Sequence, residues 1–201
     1  DKTSARAAFK KVSQMDYEKS MQEEATFNYG KLSAESGFDR EAINTLIKID
    51  KNSKYHSESQ DIINGLLENT SDYASALQII ESLPTINDKL KITYQSVALK
   101  YGIQQYNNGM YEDALGNLDK AGKYQLSRIT AAQGMYWTGQ IHHEKGDYKK
   151  SISALDQYFK LADGITWMPD ESAQSSAYYT QGYNYLLQKD YKKAELNFKS
   201  A

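Results

Sequence analysis

One ten-residue pattern recurs along the chain, and its repetition constrains the fold more than any single residue does. Residues 146–155, GDYKKSISAL, return at 189–198 as KDYKKAELNF. The same order of side-chain classes runs through GMYEDALGNL at 109–118 and SDYASALQII at 71–80, with a looser version, GFDREAINTL, at 37–46. A unit written five times builds architecture before it builds chemistry. Aligned on Ala42, Ala76, Ala114, Ser151 and Ala194, the copies lie 34, 38, 37 and 43 residues apart. From these positions apolar residues follow at helical spacing: Ala42, Ile43, Leu46 and Ile47; Ala76, Leu77 and Ile80; Ala114, Leu115 and Leu118; Ala194 and Phe198.

Seven residues before the head of each copy stands a second small residue, Gly30, Gly102, Gly139 or Gly182, with Asn64 as the exception. Two small residues per unit let two antiparallel helices cross closely. The turn between them ends in Asp72, Asp147 or Asp190, placed to cap the helix that follows. One hairpin cannot bury the apolar face of its second helix, whereas hairpins stacked side by side bury it continuously. With only 2 Pro and 12 Gly in 201 residues, the chain is poor in strand-turn punctuation and disposed toward helix.

These residues carry a resemblance. A small Gly in the first helix, a Gly/Asp-Tyr turn and an Ala opening the second helix look like the tetratricopeptide repeat, whose period is 34 residues. The last unit follows that pattern most fully, at Tyr178, Gly182, Tyr185, Tyr191, Ala194, Phe198 and Ala201. The resemblance implies an all-α, right-handed superhelical solenoid of antiparallel helix pairs with about ten to twelve helices. It runs as a single array over 1–201: a half-repeat at 1–20, then repeats at approximately 21–54, 55–86, 87–125, 126–165 and 171–201. Both ends fall inside an element and no Met opens the chain, so the expectation is a segment of a longer protein. Departures are the Asn64-Gly65 pair, which predicts a slightly displaced helix, and the stretch LADGITWMPDESAQ at 161–174, where Gly164 and Pro169 predict a loop. The succession KYHSESQDIINGLLENTSDYASALQIIESL, YGIQQYNNGMYEDAL and YWTGQIHHEKGDYKKS further resembles the amino-terminal region of large tetratricopeptide proteins of the Bacteroidetes cell envelope. That narrower resemblance implies a periplasmic or outer-membrane-associated setting.

Composition removes several function classes. Lys and Arg number 24 against 26 Asp and Glu, so no excess of positive charge recommends nucleic acid or an anionic membrane as partner. Cys is absent, which removes disulfides, thiolate metal sites and a cysteine nucleophile together. No apolar run approaches the length of a membrane span, so no membrane insertion by this chain is expected. His142 and His143 are adjacent and diverge by about 100° on a helix, which is wrong for a shared metal ion. Glycines fall singly rather than in a phosphate-binding loop, and no Gly-x-Ser-x-Gly elbow occurs. The expectation is a protein without catalytic activity, cofactor or metal.

Tyr is in excess, at 17 residues. Tyr73, Tyr111, Tyr148 and Tyr191 stand at the turn before the second helix, where an amphipathic ring packs between helices. A second set falls on first helices, which in the family line the concave surface: Phe27, Leu99, Ile103, Tyr106, Tyr136, Gln140, His143, Tyr179 and Tyr183. The resemblance makes these the candidate partner-binding residues, for another protein or a peptide segment. The family's carboxylate clamp of Lys, Asn and Arg is not reproduced, since its places hold residues such as Phe27, Asn28, Lys31 and Lys100. Trp167, in the longest loop, is read either as a hydrophobic cap on a hairpin or as an exposed anchor for a partner. The function expected is a non-catalytic protein-interaction scaffold; the alternative is a glycan- or peptide-binding module in which Tyr136, Tyr179 and Tyr183 stack on a sugar.

Overall fold

The structure, a computed structural model, describes residues 1–16 and 18–201. Among the described residues it contains eleven α-helices, one 3-10 turn and no strand. The helices are α1 (Lys2–Ser13), α2 (Lys19–Glu35), α3 (Asp39–Leu46), α4 (His56–Asn69), α5 (Tyr73–Ser82), α6 (Asp88–Asn107), α7 (Tyr111–Gly122), α8 (Arg128–Glu144), α9 (Tyr148–Ala162), α10 (Gln174–Leu187) and α11 (Tyr191–Ser200). The number agrees with the ten to twelve expected.

The chain divides into two compact units, residues 1–71 and 72–201. The division falls inside the expected repeat 55–86, so α4 belongs to the first unit and α5 to the second. In the first unit α2 packs against both α1 and α3, and α4 meets α2 and α3. In the second, α5 packs on α6, and three hairpins follow: α6–α7, α8–α9 and α10–α11. Each first helix rests on both helices of the hairpin before it, α8 on α6 and α7, and α10 on α8 and α9. This stacking within the units is tetratricopeptide-like.

The hairpins close through their glycines. A methyl group added at Gly30 would come within 2.6 Å of Leu46, at Gly102 within 2.8 Å of Leu118, at Gly139 within 2.8 Å of Leu155, and at Gly182 within 2.6 Å of Phe198. The partner always stands sixteen positions after the glycine, so one register is used four times. Asn64 holds the corresponding place in α4 and is itself buried, while the neighbouring Gly65 opens on space. Beneath the glycines Ala42, Leu46, Ala114, Leu118 and Leu155 are wholly excluded from solvent, as the spacing of the second helices predicts.

Two expectations are corrected. Asp72 and Asp190 accept hydrogen bonds from the Ser75 and Lys193 amides and cap α5 and α11, but Asp147 makes no such bond at α9. Its carboxylate lies instead 3.7 Å from both His142 and Lys150. Tyr191 is 64% exposed, so its ring does not pack between helices here. Tyr73, Tyr111 and Tyr148 are partly covered, as expected.

Candidate functional site: the stacking face of the first helices

The expected binding residues share one register. Counted from the glycine of each first helix, they stand three before it, one after it and four after it: Leu99, Ile103 and Tyr106 on α6; Tyr136, Gln140 and His143 on α8; Tyr179 and Tyr183 on α10. Positions separated by three or four lie on one helix face. The structure shows that this face carries the contact to the next first helix. On α2 the Phe27 ring stacks on Tyr55 at 4.5 Å, and Lys31 reaches Glu58 of α4 at 2.6 Å. On α6 the Tyr106 ring meets Trp137 of α8 at 5.1 Å. On α8 the Gln140 amide donates to the Thr180 hydroxyl at 2.9 Å, and the His143 ring bonds to Asn184 at 2.7 Å.

This placement corrects the reading of the set as one open groove. Phe27, beneath the Tyr55 ring, is 4% exposed, and Leu99 and Tyr136 are 6% and 7% exposed. Ile103, Tyr106, Gln140 and His143 are half-buried. Burial pushes the Tyr136 hydroxyl up to about 12 and raises that of Tyr106, so both rings stay neutral. On α10 the face lies open: Tyr179 is 54% exposed and Tyr183 38%. Leu186, 39% exposed, completes this face at the fourth position after Gly182. Sequence reasoning missed it, although Tyr106 and His143 hold the same place relative to their glycines.

The α10 aromatics are ordered by their own contacts. Tyr179 and Tyr183 meet edge to face at 4.9 Å and 68°, the Tyr179 hydroxyl donates to that of Tyr183 at 3.3 Å, and the Phe198 ring abuts Tyr183 at 5.2 Å. That hydrogen bond raises the Tyr179 pKa. A depression of about 540 Å³ opens beside them, bordered by Tyr136, Ser176, Tyr179, Thr180 and Phe198.

His143 has its ring proton assigned by its neighbours. Ser151 donates to the Gly139 carbonyl at 2.7 Å, so its oxygen accepts from the Asn184 amide nitrogen, also at 2.7 Å. The Asn184 carbonyl oxygen therefore faces His143, whose Nδ1 must carry the hydrogen. His142 points elsewhere, toward Asp147, and its pKa is lowered chiefly by burial. Among the described residues no three His, Cys, Asp or Glu side chains gather as a metal ion would require.

Trp167 is 66% exposed, so it anchors nothing beneath it and does not cap the hairpin. Its loop is nevertheless held at both ends. Arg128 donates to the Asp163 and Lys160 carbonyls at 2.6 and 3.2 Å, and the buried Tyr158 hydroxyl donates to the carbonyl of the buried Ser172.

No protein-family model matches the sequence, and no curated protein matches it. Among solved structures, the chain is similar to the "MamA RS-1 ArsTM double mutant" at 18% identity and a TM-score of 0.44, over 88% of this chain and 90% of that one. The fold class rests on the hairpin register itself: an all-helical protein of stacked, tetratricopeptide-like helix pairs.

Proposed function

We propose that the chain is a non-catalytic scaffold that binds another protein through aromatic side chains presented on a rigid helical stack. The observation that carries this reading is the open set on α10, where Tyr179, Tyr183 and Leu186 expose large apolar groups held by defined ring contacts. Exposed aromatics on ordered elements supply contact area at little cost in conformational entropy. Trp167, on its pinned loop, is a second anchor of the same kind.

The geometry disfavours the sugar-stacking alternative. A pyranose ring sandwiched on aromatics needs open, roughly parallel faces, whereas Tyr136 is covered and the Tyr179 and Tyr183 planes stand at 68°. An envelope setting rests on the sequence resemblance alone.

The test is capture of partners from an extract of the source cell by the intact chain, by Tyr179→Ser/Tyr183→Ser and by Trp167→Ala, each checked for native helicity. A partner protein retained by the intact chain and released by one variant supports the reading. A partner set unchanged in both variants overturns it.

A further inference from the structure

We infer that an indentation of the second unit, formed by α7, α8 and α9, is a docking pocket for a tyrosine side chain of a partner polypeptide. It shares no lining residue with the α10 face or the Trp167 loop, and it rests on the scaffold reading only for its occupant belonging to a polypeptide. The indentation measures about 330 Å³. Ala131 and Met135 of α8 line it beside Gly122 and Leu161, and the exposed Gln125, Gln157 and Lys160 border it.

The repeat itself shows what fills such a place. One hairpin earlier, α6 packs against α5 and α7 as α8 packs against α7 and α9. There Tyr94, eight positions before Gly102, and Tyr124, ten after Ala114, meet edge to face at 5.5 Å and 69°. Tyr94 is 2% exposed, and its hydroxyl donates to Glu81 at 2.8 Å. The Lys123 ammonium lies 5.7 and 5.2 Å from the centres of the two rings. In the α8 copy the same two places, eight before Gly139 and ten after Ser151, hold Ala131 and Leu161. The space that two rings take up in one copy therefore stands open in the next.

The groups that attend those rings are kept. Lys160 holds the place of Lys123, where a cation meets an aromatic face. The exposed Asp119 holds the place of Glu81, an acceptor for a phenolic hydroxyl. Met135 replaces Ala98, and a thioether packs favourably against a ring. An aliphatic side chain would use the apolar lining but neither charge, so tyrosine is the occupant that matches all of it. The border is fixed in advance: Gln95 accepts from the Leu126 and Ser127 amides at 3.1 and 3.2 Å, and Arg128 donates to the Lys160 carbonyl at 3.2 Å. Docking then costs little ordering of the pocket.

Nuclear magnetic resonance of the intact chain, carbon-13 labelled at its methionine methyls, reads the pocket through Met135. N-acetyltyrosinamide is the probe, with N-acetylleucinamide and p-cresol for comparison. The expected result is a saturable ring-current shift of the Met135 methyl at about millimolar affinity, while the methyl of Met110, outside the pocket, stays in place. Lys160→Gln should weaken binding about threefold. Gly122→Leu should abolish it by occupying the open space, since an added carbon there meets nothing within 4 Å. Ala131→Tyr/Leu161→Tyr, which restores the two rings of the earlier copy, should abolish it as well.

No saturable shift at Met135, equal binding of N-acetylleucinamide, or binding untouched by Gly122→Leu overturns the inference. Tighter binding of p-cresol than of N-acetyltyrosinamide overturns it in favour of a free aromatic molecule. A Met135 shift that follows protein concentration alone overturns it in favour of a second copy. Because no captured protein enters the titration, its failure leaves the scaffold reading intact, and unchanged capture by the α10 and Trp167 variants leaves the pocket intact.

Discussion

Lys189 holds the left-handed backbone conformation, at φ +62°, that Gly146 holds at +75° one hairpin earlier. Both end a first helix with the same pair of hydrogen bonds. The Gly146 and Asp147 amides donate to the His143 and His142 carbonyls, and the Lys189 and Asp190 amides to those of Leu186 and Tyr185. The bonds require the left-handed residue whatever its side chain. For Lys189 the β-carbon crowds the backbone, which glycine avoids. Lys189→Gly should therefore stabilise the second unit by about 1 kcal/mol, seen as a higher urea midpoint with an unchanged slope. An unchanged or lower midpoint would show that glycine's greater freedom in the unfolded chain outweighs the relieved strain.

Glycine has the opposite value at two helical sites of that unit. Gly139 meets Leu155 so closely that a methyl group would stand 2.8 Å from two of its carbons, and the wholly buried Leu155 has little room to retreat. Gly139→Ala should cost about 2 kcal/mol through overpacking. Gly116, inside α7, has nothing within 4 Å of an added methyl. There Ala should be gained in full, stabilising by about 1 kcal/mol through helix propensity. Parallel urea titrations of the two variants test the sign of each, and two shifts of the same sign would contradict the packing argument.

Periodicity made the hairpins legible, because Ala114, Leu118 and their counterparts recur where one helix face must be apolar. The register of Leu99, Tyr136 and Tyr179 was legible for the same reason. Its meaning was not, since exposure is set by tertiary packing that the register does not encode: Tyr136 is buried, whereas Tyr179, in the identical place, is 54% exposed. Asp147 read as a cap because its neighbours in sequence match those of Asp190; the His142 ring, which its carboxylate faces at 3.7 Å, is brought beside it only by the folded geometry. Contacts joining residues 6, 29 and 41, or 143, 151 and 184, follow no short-range spacing and had no signal in the pattern.

Glu41 gathers the first of those groups. Tyr29 of α2 donates to its carboxylate, as does Lys10 of α1 at 2.9 Å, and Arg6 of α1 forms an ion pair with it. The Tyr29 hydroxyl first, then the Lys10 and Arg6 cations, hold its pKa down to about 2 from an ordinary value of 4.5, against the opposing effect of burial. A carboxylate whose folded pKa is depressed contributes stability that is present above 4.5 and lost as the pH falls toward 2. Glu41→Gln should lower the stability of the first unit near neutral pH, and its deficit against the wild type should shrink between pH 4.5 and pH 2. Urea midpoints measured for both proteins across that window decide the matter. A deficit constant with pH would show that Glu41 acts there by packing rather than by charge.

The Ser151 hydroxyl and the Asn184 amide are both fully buried, and each is the other's means of satisfaction. The other copies of the repeat place Ala where Ser151 stands, so this network is a local replacement of apolar packing by hydrogen bonds. Removing one member strands the remainder. Asn184→Leu should cost about 2 kcal/mol, as His143 and Ser151 each lose a partner, and Ser151→Ala about 1 kcal/mol. In the double variant the loss of the Ser151–Asn184 bond is counted once, so the combined cost should fall short of the separate costs by about 1 kcal/mol. Simple additivity would mean that the two side chains are satisfied independently. The same network requires His143 to carry hydrogen on Nδ1, which nitrogen-15 chemical shifts of the imidazole read directly. In Asn184→Leu that constraint is gone, and the ring should shift toward the Nε2–H tautomer that free histidine prefers.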